Sequence, residues 1–345
     1  MDSSDDKKKT VTQDDVAKLA GVSRSVVSYV INRGGRPVAP ETKQKILNAI
    51  ETLGYRPNQA AQNLTKSKYD LVADKQFGII LSDVFMLKRP YYADILAGIH
   101  NTAHENFHHI RFIRFFNELK DPLLFDELIH EEKISGLILI ALDQSIETEE
   151  DQNIIINIQD RIKNMVTIEW TLDGVPSVIF SRRDAAYKAC SYLISRGKKD
   201  IVYVGPEDER FLGFQQALIE ADLFDNIKNA YYGSDLKDGY NQCNILINHS
   251  KIPEAILGGT DEVSIGILRG LHENKLRVPD DISLVSIDNI EMAEFTSPPL
   301  TTVNVETWEM GSSAVSILMQ RAKNPNSLAT TTLIPTKLVI RESCV

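Results

Sequence analysis

Within the stretch SRSVVSYVIN, residues 23–32, Arg24, Ser25, Ser28 and Tyr29 fall on one side of a helical repeat. A guanidinium and short hydroxyls near a helix start can reach base edges in a major groove, while small hydroxyls and amides fix register on phosphate. The same face suits an ordinary helical subdomain turned to solvent, and residue types alone leave both readings open. Farther along, Arg210 stands at the head of ERFLGFQQAL, Asp288 ends the apolar run ISLVSID, and Thr260 and Asp261 follow AILGG. By itself Arg210 reads as a solvated helix-start arginine, although an arginine fork and a carboxylate are also the donor and acceptor set that vicinal sugar hydroxyls require.

Positioning the first group takes three short helices. Val16, Leu19 and Ala20 recur at i, i+3 and i+4 and predict a helix over Gln13–Ala20. Gly21 supplies a sharp turn, and Ser23 is a suitable N-cap for a second helix whose buried stripe is Val27, Val30 and Ile31. A third helix carries Pro40 in its first turn, the apolar series Ile46, Leu47, Ile50 and Leu53, and Gly54 past its end. With the basic loop RGGRPVAPET between the second and third, this makes a helix-turn-helix unit.

Charge divides the chain in the same way. Residues 10–69 hold nine Lys and Arg against four Asp and Glu, whereas residues 70–345 hold 26 against 41. A small basic unit on a large acidic body confines any polyanion contact to the first part. The 345 residues exceed one compact core at roughly 150 residues per domain. Cys190, Cys243 and Cys344 are odd in number and far apart, which indicates neither a disulfide framework nor a zinc site. The start MDSSDDKKK lacks a signal-peptide core, and no run approaches the ~18 apolar residues of a membrane span, so a soluble, cytoplasmic protein is expected.

From Phe77 onward, apolar β-rich runs such as FGIIL, GLILIA, SVIFS, DIVYVG and ISLVSID alternate with helix-length segments. That alternation predicts parallel sheets covered by helices on both faces, with too many strands for one sheet. Ligands of such sheets bind beyond the carboxyl ends of the strands. His100, His104 and His108 recur at i, i+4 and i+8, but without an adjacent Cys or carboxylate cluster they read as a polar stripe, and no metal is expected. Gly258–Gly259 reads as a turn and not a phosphate loop. No nucleophile elbow, P-loop or Ser/His/Asp set is present, so neither catalysis nor a cofactor is expected.

The stretches VTQDDVAKLAGVSRSVVSYVIN and APETKQKILNAIETLGYRPNQAAQNL resemble the headpiece of the LacI/GalR family of bacterial transcription regulators, and the resemblance continues to the last strand. It implies an α/β fold with an N-terminal helix-turn-helix headpiece and two doubly wound parallel-sheet lobes like those of periplasmic binding proteins. The implied divisions are a disordered tail over 1–10, the DNA-binding domain over 11–57, a hinge helix and linker over 58–70, and a core over 71–345. Within the core the near lobe takes 71–176 and 306–333, and the far lobe takes 177–305 and 334–345.

Carried across, the base-reading positions fall on Arg24, Ser25 and Tyr29, and phosphate contacts on Ser23, Ser28, Asn32 and Thr42. The hinge contributes Asn58, Ala61 and Leu64, the last as a wedge that opens a central base step from the minor groove. About two turns of helix are marginal alone, so the hinge is expected to order on the operator. The implied effector site comprises Tyr91, Arg210, Thr260, Asp261 and Asp288, between the lobes.

The chain departs from the family at Val26 and Tyr29, where Thr and Arg or His are usual. It departs again at Thr260, Ser181 and Ser234, where Asn, Asp and a stacking aromatic are common. RPYYADI, ISLVSIDNI and FTSPPLTTV are similar to the branch that senses galactose or galactosides. The resemblance therefore implies a homodimeric repressor of a sugar-utilisation operon on a pseudo-palindromic operator, controlled by a small sugar. Two alternatives stand beside it: a global catabolite regulator with a phosphocarrier protein as corepressor, and a sugar-binding protein without DNA function. The chain stops at Val345, straight after the last strand, without the family's tetramer-forming tail, and a dimer is expected.

Overall fold

The computed structural model describes residues 11–31, 38–53, 55, 76–223, 225, 229–249 and 252–345. The chain divides into two compact units, Met1–Leu71 and Val72–Val345.

In the first unit, α1 (Gln13–Ala20), α2 (Arg24–Ile31) and α3 (Pro40–Leu53) pack around Val16, Ala17, Val27, Ile46, Ala49 and Tyr55. A capping box starts α1: the Thr12 amide donates to the Asp15 carboxylate at 2.9 Å, and the Asp15 amide donates to the Thr12 hydroxyl at 3.4 Å. Gly21 ends α1 at φ 67°, a left-handed conformation that glycine adopts without steric cost. α2 begins where the Ser23 carbonyl accepts from the Val27 amide at 3.2 Å.

The predicted buried stripes need two corrections. Leu19 is 53% exposed and Leu47 is 43% exposed. The buried face of α1 is centred on Val16 and Ala17, and that of α3 on Ile46 and Ala49. Gly54, expected to end α3, lies outside the described residues.

The second unit contains two six-stranded sheets. The first runs β11–β5–β4–β3–β1–β2, from β1 (Gln76–Leu81), β2 (His109–Phe115), β3 (Gly136–Ile140), β4 (Met165–Ile168), β5 (Ser177–Phe180) and β11 (Thr331–Ile334). All its pairings are parallel. The second runs β12–β10–β9–β8–β6–β7, from β6 (Ile201–Gly205), β7 (Ala230–Tyr232), β8 (Ala255–Gly258), β9 (Ser283–Asp288), β10 (Thr301–Val305) and β12 (Thr336–Val339). Here only β12 is antiparallel: it is reached from β11 through Pro335 alone, and it runs back along β10.

Continuous apolar runs suit strands covered on both faces, and side-chain alternation explains how. In β1, Phe77, Ile79 and Leu81 join the core shared with the second sheet's lobe, while Ile80 joins a separate cluster with Phe116, Leu137, Leu139 and Ile158. The covering helices pair as α4 (Pro90–Glu105) with α11 (Thr307–Lys323), α7 (Arg182–Ser195) with α8 (Glu209–Glu220), and α9 (Leu236–His249) with α10 (Asp261–Glu273). Two further helices, α5 (Pro122–Leu128) and α6 (Glu149–Arg161), belong to the first lobe.

The lobe boundary drawn at 176/177 moves. β5 pairs with β4 and β11 inside the first sheet, so the chain crosses after Phe180. Ile334 likewise pairs with Phe180 in the first sheet. The β4–β5 connection, residues 169–176, contains a tight turn with a Leu172–Val175 bridge and Gly174 at φ 72°, and it returns the chain to the sheet it left. Among the described residues, no helix is long and apolar enough to cross a membrane.

Candidate functional site

A cavity of about 310 Å³ lies where the carboxyl ends of the two sheets meet. From the first lobe, Arg89, Tyr91 and Tyr92 follow β1, Asp143 and Gln144 follow β3, and Glu169 follows β4. From the second, Asp208 follows β6, Ser234 follows β7, Thr260 follows β8, and Asp288 ends β9. Arg182 opens α7 directly after the crossover, and Arg210 lies in the first turn of α8.

Arg210 is 7% exposed; its Nη1 donates to Asp208 Oδ2 at 2.5 Å, while its buried Nε has no hydrogen-bond partner. Gly213 fixes the depth of this arginine, because a Cβ there would run into the Arg183 carbonyl of α7. Asp288 is 5% exposed at φ 118°, and its buried Oδ1 is also without a partner. A left-handed backbone at a non-glycine residue is strained and persists only where the surroundings hold it. Burial pushes the Asp288 carboxyl well above the usual carboxylate range, against the pull of Arg210. A donor and an acceptor, both dehydrated and both on residues lining one cavity, make a site for a ligand that hydrogen bonds.

Glu169, at φ 73°, ties the lobes together. Its Oε1 accepts from the Tyr91 hydroxyl at 2.7 Å, and its Oε2 accepts from Arg182 Nη2 at 2.9 Å. Burial, followed by the charge of Glu169, holds the Tyr91 phenol well above its ordinary value. Arg89 makes the second cross-lobe tie: its Nε donates to Glu262 Oε2 at 2.6 Å, and its Nη2 to the Ser234 carbonyl at 3.1 Å.

Four of the five residues expected here, Tyr91, Arg210, Thr260 and Asp288, line the cavity. Asp261 does not. It is fully buried, accepting from the Thr302 hydroxyl at 2.7 Å and from the Ile290 amide at 2.8 Å, and thereby holds β10 and the turn after β9. The strand-end position that suggested a ligand contact instead starts α10 and aims its carboxylate back into the second lobe. Thr260 uses its hydroxyl to accept from the Val263 amide at 3.2 Å, capping the same helix. Sequence reasoning missed Asp143, Glu169, Arg182 and Asp208, while Arg89 lies in RPYYADI, a stretch it had singled out. Glu169 near the end of MVTIEW and Arg182 just after SVIFS both stand at carboxyl ends of strands, the signal that would have found them.

In the first unit, Ser23, Arg24, Ser25 and Tyr29 are exposed, and Ser28 and Thr42 are half-buried. Arg24 reaches Asp14 at 3.9 Å with both side chains largely in solvent, a pairing too weak to hold it from a ligand. Asn32, Asn58, Ala61 and Leu64 lie outside the described residues. His100 and His104 stack with ring centroids 6.2 Å apart, and among the described residues no three His, Cys, Asp or Glu are grouped to hold a metal.

Two parts of the chain match known families. Residues 12–58 match the bacterial regulatory proteins of the lacI family, and residues 190–344 match a periplasmic binding protein-like domain. The HTH-type transcriptional repressor PurR of Histophilus somni (strain 2336) is 30% identical, over 95% of this chain and 97% of its own length. The Lac repressor dimer bound to operator and the anti-inducer ONPF is 25% identical, with a TM-score of 0.74 over 98% of this chain and 100% of that one. The transcriptional regulator CelR–cellobiose complex, 24% identical, shares the fold with a TM-score of 0.69 over 96% of this chain and 99% of that one. The chain therefore belongs to the LacI family, whose members are transcriptional repressors pairing a DNA-binding headpiece with a ligand-binding core and are not enzymes.

Proposed function

We propose that the chain is a homodimeric repressor of a sugar-utilisation operon, with a small sugar in the interlobe cavity as its allosteric effector and galactose or a galactoside as the first candidate. The carrying observation is the pair of dehydrated groups, Arg210 Nε and Asp288 Oδ1, on two residues that line the second lobe's side of one cavity. Adjacent sugar hydroxyls both donate and accept, so one ligand can satisfy both. The segments RPYYADI and ISLVSIDNI, similar to the galactose-sensing branch, contribute Arg89, Tyr91, Tyr92 and Asp288 to the lining.

On the DNA side, Arg24, Ser25 and Tyr29 would read bases, with Ser23, Ser28, Asn32 and Thr42 on phosphate. Two-fold pairing would set the two hinges, with Asn58, Ala61 and Leu64, over the centre of a pseudo-palindrome. The Lac repressor's dimer on operator supports that arrangement. Because Glu169–Arg182 and Arg89–Glu262 both bridge the lobes, a ligand touching this network favours one lobe arrangement over another. A coupling of about 1–3 kcal/mol would change operator affinity roughly 5–150-fold, and operator would change effector affinity by the same factor.

A planar heterocyclic base is the competing ligand, favoured by the adjacent rings of Tyr91 and Tyr92, set edge to face at 5.2 Å. Calorimetric titration of the full-length protein with galactose, its glycosides and adenine separates the two. Heat from adenine and none from any sugar would overturn the sugar reading. Electrophoretic shift of the adjacent promoter, with and without the bound ligand, tests the regulatory half.

A further inference from the structure

We infer that the effector is uncharged and that the cavity rejects its phosphorylated counterpart. This deepens the proposed sugar reading and rests on it for the choice of first ligand. Three guanidiniums line the cavity, which by residue type alone would suit an anion. Each is already committed: Arg89 to Glu262 at 2.6 Å, Arg182 to Glu169 at 2.9 Å, and Arg210 to Asp208 at 2.5 Å.

Five acidic side chains line the same space, Asp143, Glu169, Glu207, Asp208 and Asp288, and four of them still exceed the three guanidiniums when Asp288 keeps its proton. Asp143 and Glu207 sit in no ion pair among the described residues. Acids therefore outnumber cations, and no cation is left to balance a phosphate.

Helix starts are the other place where an anion is held; α4 starts at Pro90, which has no amide hydrogen to offer, and three starts on the second lobe are occupied. α7 is capped by Ser181, which accepts from the Asp184 amide at 3.0 Å, and α8 by Asp208, which accepts from the Arg210 amide at 2.9 Å. α10 is capped by Thr260 and carries Asp261 and Glu262 in its first turn. A phosphate entering here would have to break an Arg–carboxylate pair and stand among the displaced acids. A hydroxyl needs neither step, because the dehydrated Arg210 Nε donates to it and Asp288 Oδ1 can accept from it.

The test uses neutral and anionic ligands titrated calorimetrically into the full-length protein: galactose against galactose 6-phosphate, and adenine and adenosine against adenosine monophosphate. In whichever set binds, the phosphorylated member is expected to be weaker by about tenfold or more. Asp208→Asn, which releases Arg210 from its carboxylate, should narrow that gap several-fold, with the fold checked by circular dichroism. A phosphorylated member binding as tightly as its neutral partner overturns the inference and leaves the sugar reading standing. Adenine binding without galactose overturns the sugar reading, while the charge rule survives if adenosine monophosphate is weaker than adenosine. Absence of heat from all of them overturns both.

Discussion

In the headpiece, the side chains proposed to meet DNA stand in solvent: Arg24 and Ser25 are exposed and Tyr29 is 37% exposed, above a core of six buried residues among those described. In the second unit, the side chains offered to a ligand have been taken out of water: Tyr91, Arg210, Thr260 and Asp288 are all buried, two of them with an unpartnered polar atom. A surface that meets phosphate gains most of its affinity from charge and counterion release, which need no dry pocket. A cavity that selects one small molecule needs dehydration and fixed geometry, because a ligand lacking the matching group then leaves a buried group unpaired. The cost appears as local strain, at Glu169 and Asp288, both in left-handed backbone.

If the two units answer to separate cores, damage to the small one leaves the other intact. Val27 is fully buried between α1, α2 and α3, and Val27→Asp places a carboxylate there at a cost above about 4 kcal/mol, more than a unit of this size can absorb. Operator binding is expected to vanish while effector affinity and the core's melting midpoint stay at wild-type values. Calorimetry and scanning melts on one preparation check this, and a lowered core midpoint would break the comparison.

The converse substitution sits in the cavity. Arg210→Met removes the guanidinium bonded to Asp208 at 2.5 Å and leaves Asp288 with the more distant pull of Arg89. Truncating one partner of a buried charged pair costs about 2–5 kcal/mol, so effector affinity should fall roughly 30-fold or more, with ligand-free operator affinity unchanged.

A pH titration distinguishes the buried acids of the second unit from exposed ones. Burial pushes Asp261 up to about 6, above its ordinary unfolded value near 4. A carboxyl raised on folding holds its proton more tightly in the folded chain. Its stabilising share is therefore full below about pH 4 and is lost as pH rises through about 6, on the order of 1–3 kcal/mol. The core's melting midpoint should drop by several degrees over that window in wild type and less in Asp261→Asn. The headpiece, with none of its described carboxylates buried, should show no matching fall.

Arg24→Ala probes the exposed face. Loss of one base-edge contact costs about 1–3 kcal/mol and relaxes discrimination at one base position. Anisotropy against operator and scrambled DNA should show a drop for the first of roughly tenfold and little change for the second.

How legible each region was follows the range of its contacts. The bounds of α1 and the turn at Gly21 were readable because capping and helical periodicity act within a few residues. The strand–helix alternation exposed both sheets for the same reason. What escaped depends on partners far apart in the chain: Arg89 and Glu262 are separated by 173 residues, and Tyr91 and Glu169 by 78. Asp261 and Thr260 were placed correctly at a strand end, but whether a strand-end side chain meets ligand or its own lobe is decided by neighbours such as Thr302 and Ile290. Leu19 and Leu47 escaped because a three-helix contact selects the small residue beside the large one, and spacing alone treats both as core.

The smallest expected effect concerns the cross-lobe tie made by Arg89, which spans the two walls without belonging to either set of dehydrated groups. Its guanidinium is part-exposed while Glu262 is nearly buried, so Arg89→Gln keeps a donor toward the Ser234 carbonyl and removes only the charge. A hydrogen bond to a charged group contributes about 1.5–3 kcal/mol, part of which water at the exposed guanidinium replaces. Effector release should therefore quicken by roughly threefold to tenfold, with association nearly unchanged, as is usual when a contact is lost from an existing interface. Stopped-flow fluorescence follows this through Trp170, which is buried in the first lobe and anchored to the Leu139 carbonyl at 3.1 Å. An unchanged release rate would mean that the Glu169–Arg182 tie alone holds the cavity shut. Dissection would then move to Arg182→Gln, whose partner also holds Tyr91.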